Sequence, residues 1–205
     1  MEKFKFGLFD IFTYTLPGMV FMFSLFLYFY NVDISLIVTF KNILLLTNNL
    51  SLSSIVILFI ISYIVGFILD WIGYKYFHYI GKRIWAKTIN NEMKSLTNSD
   101  LELVLARHYS KENFIYIVQW YAFRGMSFNL SLAFLFLTTI LVLKIMINSM
   151  YQMEWLILSF TCLCSSIVLL RKSVKYHIWS HNTMFETVFL LFKDKITSID
   201  INSLK

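Results

Sequence analysis

Uncharged apolar runs alternate with charged intervals along the chain, and their lengths are those of membrane spans. No formal charge falls in residues 11–32, 50–69, 125–143 or 155–170. A hydrocarbon core of roughly 30 Å takes about 20 mostly apolar residues of helix, so the pattern predicts spans over approximately 15–32, 50–70, 125–144 and 154–171. The last has 16 uncharged residues, about 24 Å at ~1.5 Å each, and Glu154 and Arg171 must snorkel at its ends. Pro17 and Gly18 stand near the start of the first run. A missing backbone N–H costs least at a helix N-terminus, so an interfacial segment over Phe4–Tyr14, a break, and a span from about Pro17 are expected. Residues 33–49 are apolar but carry Asp33 and Lys41, which suits the outer interface or a loop. Ser51 or Ser53 can cap the second span, and Asp70 with Trp71 marks its end at headgroup level.

The long polar interval, 71–124, divides the chain into two apolar hairpins. Its first part, YKYFHYIGKRIWAKTI, has no strong stop signal before Asn90 and Asn91, so the second helix is expected to run on. Ser99 with Glu102 three residues later has the form of a capping box, and Ser110 is placed to open a helix that lies along the membrane surface or joins the third span. After Arg171, helical spacing of Ile178, Phe185, Phe189 and Phe192 predicts a further helix over 172–195. Eight Lys or Arg lie between Asp70 and Arg124, whereas the two other loops hold only Lys41 and, at the border, Lys144. Positive residues accumulate on the cytoplasmic side, so both termini and 71–124 should be inside. The expected fold is therefore all-α, an integral membrane protein of four transmembrane helices with helices extended into the cytoplasm.

Composition adds weight to this reading. The chain is 58% hydrophobic with a mean hydropathy of +0.67, above the roughly half that is usual for soluble domains. A net charge of +6, concentrated in the polar interval and after Arg171, favours anionic headgroups as a partner. The aromatic and basic mixture of Trp71–Lys87 also has the ingredients to clamp single-stranded nucleic acid. Interfacial anchoring accounts for it without such a partner. Cys162 and Cys164 sit about 200° apart on a helix, so neither a disulfide nor a metal clip follows.

Chemistry-bearing patterns are sparse. His177 and His181 share a helix face as a zinc site would need, but only Glu186 stands near in sequence, and no metal or cofactor is expected. There is no glycine-rich phosphate loop and no paired carboxylates, which argues against an enzyme. Between the borders of the spans no Asp, Glu, Lys, Arg or His occurs, whereas ion-coupled transporters carry such groups at mid-membrane. The spans instead hold small and hydroxylated residues at helical spacing. Ser62, Gly66, Asp70 and Gly73 form a stripe suited to close helix packing, with Asp70 in reach of water or a donor such as Arg124. Ser127, Ser131 and Thr138 form a second stripe, which suits packing within the chain or the wall of a conduit shared by several copies.

The opening FDIFTYTLPGMVFMFSLF, with aromatic residues and Pro17-Gly18 at the mouth of the first span, resembles small four-span proteins of bacterial antiphage loci, among them the membrane accessory proteins of type VI-B CRISPR systems. The likeness covers about Phe9–Leu27 and the general topology. It implies an inner-membrane effector or accessory protein of a defence system, homo-oligomeric and pore-forming or membrane-perturbing, with a cytoplasmic defence protein as partner. The nearest accessory type also implies an Arg/His pair like that of the HEPN ribonucleases. Only Arg171 and His177 correspond, and Lys172 stands where those enzymes usually place Asn, Asp or His. Alternatives are a small transport or lipid-associated membrane protein and, third, a membrane-tethered ribonuclease.

Overall fold

The computed structural model describes residues 2–29, 35–93, 103, 106–108, 110–147 and 152–203, with side chains placed in 11–29, 35–93, 103, 106–108, 110–146 and 153–190. It is all-helical, with no strand among the described residues, and four of its helices are long and apolar enough to cross a membrane. Those four lie in α1 (Glu2–Phe29), α3 (Leu52–Tyr76), α6 (Lys111–Ile147) and α7 (Gln152–Ser203). Between α1 and α3 runs the short α2 (Leu36–Asn48), and α3 is followed by a π-helical turn (Phe77–Gly81), α4 (Lys82–Ile84) and α5 (Ala86–Glu92). Helices win here because hydrocarbon offers no partner for a free N–H or C=O. Ser35 and Ser51 cap α2 and α3, accepting from the Val38 and Ser54 amides at 3.4 and 3.3 Å.

α1 differs from the sequence-based expectation. It runs unbroken from Glu2, with Pro17 inside it and fully buried. In water a mid-helix proline costs about 3 kcal/mol, but unwinding the backbone in an apolar bundle would free several more polar groups. Leu36–Asn48 is likewise a helix, capped by Ser35. The amide of Leu36 donates to Glu154 Oε2 at 2.7 Å, so the carboxylate expected to snorkel instead meets the positive end of α2. The capping box proposed at Ser99 and Glu102 lies outside the described residues, and the side chain of Phe192 lies outside those placed.

α6 packs against α7, α1 and α3 and is the most enclosed of the four, while α3 keeps most of its apolar surface outward. One apolar cluster, Leu27, Leu137, Leu141, Trp155 and Cys162, fills one end of the bundle. A second, Phe77, Ile89, Phe128, Leu170, Val174 and Ile178, fills the other. A smaller group, Ala106, Ile117 and Met184, continues beyond it. Helix lengths exceed what spanning requires: α6 has 37 residues and α7 has 52, about 55 and 78 Å at ~1.5 Å per residue. The apolar bundle and its polar extension are thus built on the same two rods.

Candidate functional site

The two stripes of small residues have separate roles. On α3, Ser62, Gly66 and Gly73 are buried. A side chain on Gly66 would run into the Tyr14 carbonyl of α1, and one on Gly18 into the Ser62 carbonyl, so α1 and α3 touch backbone to backbone. Tyr14 closes over the crossing, edge-on to Tyr63 and Phe67 at 5.6 and 5.5 Å between centroids. Gly73 faces α6 instead, against Asn129 and the Phe128 ring. Asp70 accepts from Asn129 Nδ2 at 2.7 Å, so its donor is this amide and not Arg124. Asn129 is fully buried and was not singled out from sequence. An uncharged amide between Ser127 and Ser131 escapes a search for ionisable groups, although an Asn in a span needs a partner.

Ser127, Ser131 and Thr138 take the packing alternative in the single chain. All three are buried within the single chain. Ser131 Oγ donates to the Ser166 carbonyl and Ser166 Oγ to that of Ser131, each at 2.8 Å, a reciprocal pair that ties α6 to α7. Tyr76 OH lies 3.4 Å from Ser131 Oγ. Thr138 bonds back to the Phe134 carbonyl at 2.9 Å. Two hydroxyl-bearing helices facing each other satisfy their oxygens mutually, so within one chain the stripe serves helix packing.

The densest chemistry gathers where α3, α6 and α7 leave the apolar zone. The π turn, closed by the Lys82 amide onto the Phe77 carbonyl, sits at this point. Such insertions are frequent at functional sites. Phe77 is 1% exposed and forms the hub. Phe128 stacks on it at 5.6 Å and His177 meets it edge-on at 5.6 Å. Arg124 and Lys82 lie 6.0 and 5.9 Å from its ring centre. Arg124 Nη1 lies 3.2 Å from His177 Nδ1. A guanidinium only donates, so Nδ1 must carry a lone pair and the ring proton belongs on Nε2. The Tyr121 ring flanks the guanidinium at 4.7 Å, and His181 meets His177 edge-to-face at 4.5 Å.

The sequence-derived pair is therefore divided. His177 is buried at this centre while Arg171, six residues earlier on α7, is exposed. The arginine that reaches His177 comes from α6, 53 residues away, which no sequence spacing announces. His177 and His181 adjoin, but no group of three His, Cys, Asp or Glu side chains converges among the described residues. Further along α7, Trp120, Trp179, Asn182, Thr183 and Glu186 line an open cavity of about 380 Å³. Trp120 stacks on Tyr176 at 5.7 Å and meets Trp179 at 5.0 Å.

By length and composition these helices make the chain a multi-pass membrane protein, with a cationic and aromatic centre at one end of its bundle. Comparison with family models, curated proteins and solved structures finds no match.

Proposed function

We propose that this chain is a homo-oligomeric component of a bacterial antiphage defence system in the inner membrane, an effector or accessory protein that perturbs the bilayer when its polar end is triggered. Both termini and residues 71–124 are cytoplasmic in this reading. The observation that carries it is continuity. α6 and α7 pass without interruption from the apolar bundle into the polar extension, and the Arg124–His177 centre lies where they cross between the two. An event at the extension is then transmitted to the spans by rigid helices. The resemblance of Phe9–Leu27 to antiphage membrane proteins supports the biological setting, and the excess of Lys and Arg supports the orientation.

The test is membrane potential and plaque formation in cells expressing the protein with its genomic neighbours, before and after phage challenge. Depolarisation on challenge, abolished by His177→Ala and Arg124→Gln but retained by Arg171→Ala, is the expected result. Loss of protection in Arg171→Ala and His177→Ala alike, at unchanged potential, favours the ribonuclease reading. No protection in any context leaves a small transport or lipid-associated protein. Orientation is tested separately in a cysteine-free background. Asn48→Cys and Gln152→Cys should react with an impermeant thiol reagent from outside and Asn98→Cys should not; the reverse pattern refutes the topology.

A further inference from the structure

We propose that Lys82 and Arg124, the latter positioned by His177, form a binding site for a phosphate group. Lys82 and Arg124 are two fixed positive charges near one another, both half-buried. Neither makes an ion pair among the described residues. Among the described residues Arg124 meets a neutral imidazole nitrogen as its hydrogen-bond partner, and its Nε is buried with none. Among the described residues, the carboxylate that acts on Arg124 is Asp70, which is already engaged by Asn129. A buried cation without a counter-ion is costly, and a protein retains one where an anion is to be supplied.

The donor set indicates which anion. A carboxylate would be satisfied by one guanidinium edge. Here donors arrive from two elements: the guanidinium of α6 and the ammonium of α4. Donors spread in this way suit tetrahedral oxygens, with arginine giving paired bonds and lysine a point charge. The π turn contributes directly, because Phe77 and Lys82 are its first residue and its closing donor. The centre lies at the border of three spans, so the phosphate comes either from an anionic lipid headgroup or from a soluble phosphate ester. The inference concerns binding alone and stands or falls without the defence reading, since purified protein tests it.

The full chain in lipid-free maltoside detergent is melted in sodium phosphate against sodium chloride at equal ionic strength, and with dioleoylphosphatidylglycerol against dioleoylglycerol in the micelle. The melting temperature should rise with at least one phosphate source. The concentration needed should be about tenfold higher for Lys82→Gln and Arg124→Gln, as for loss of one charge-assisted hydrogen bond, and unchanged for the exposed Arg83→Gln. A rise with phosphatidylglycerol alone assigns the site to lipid, and one with phosphate alone to a soluble ester. No rise with either, or an unaltered response in Lys82→Gln, overturns the proposal. Should Arg124→Gln fail to fold, Lys82→Gln carries the test.

Discussion

Substituting Gly66 by alanine adds a single methyl group, and the structure says where it goes: onto the Tyr14 carbonyl oxygen of α1. That neighbour is backbone in a packed helix, so it cannot rotate away, and α1 and α3 must separate along the crossing. Overpacking of this kind costs about 1–3 kcal/mol, while replacing a helical glycine returns about 1 kcal/mol of helix propensity. A net loss of up to about 2 kcal/mol lowers the melting temperature by up to about 8 °C for a chain of this size. Gly125 is the internal control, since its nearest neighbour would be Thr13 Cγ2 at 3.5 Å, ordinary contact. Gly125→Ala should leave stability level or raised. Gly18→Ala meets the Ser62 carbonyl in the same crossing, so one separation accommodates both methyl groups, and Gly18→Ala/Gly66→Ala should cost less than the sum of the single changes. The assay is size-exclusion chromatography after graded heating of detergent-solubilised protein. If Gly66→Ala melts as high as Gly125→Ala, the backbone contact between α1 and α3 does not exist.

Other consequences are equally direct. Asn129→Ala removes the one donor to Asp70 and should cost about 1–3 kcal/mol, read as a fall in melting temperature that Asp70→Asn in the parent does not reproduce in full. Ser131→Ala and Ser166→Ala each break the reciprocal pair between α6 and α7 and should each lose about 1 kcal/mol. Ser165→Ala, which loses only a bond back to the Thr161 carbonyl of its own helix, should be nearly neutral, and equal effects at 165 and 166 would contradict the interior role. Glu154→Gln weakens the hold on the Leu36 amide, so hydrogen exchange should accelerate at the start of α2 and nowhere in α6.

Much of the architecture was readable in the sequence because charge is so costly in hydrocarbon that its absence outlines the spans directly. Ser51 as a cap and Ser62, Gly66 and Gly73 as one side of a helix follow from local spacing alone. What spacing could not supply was partnership across the chain. Ser131 pairs with Ser166 inside one molecule, so a polar stripe that could also have been a wet surface is a dry seam. Arg171 was chosen for its nearness to His177 along α7, yet six helical steps turn it away, and Arg124 takes its place from another helix. Pro17 misled for a different reason: rules learned from helices in water undervalue the penalty for unwinding where no water is present.

The uninterrupted course of α7 has a mechanical consequence. Its 52 residues contain neither proline nor glycine, the usual places where a helix bends. Such a rod does not absorb a tilt but delivers it: with a pivot near one end, a swing of about 10° carries the other end through roughly 14 Å, taking ~1.5 Å of length per residue. A small rearrangement around the base of the rod would therefore become a displacement wider than a helix at its tip, and the same leverage would turn a push at the tip into a strong, short movement among the spans.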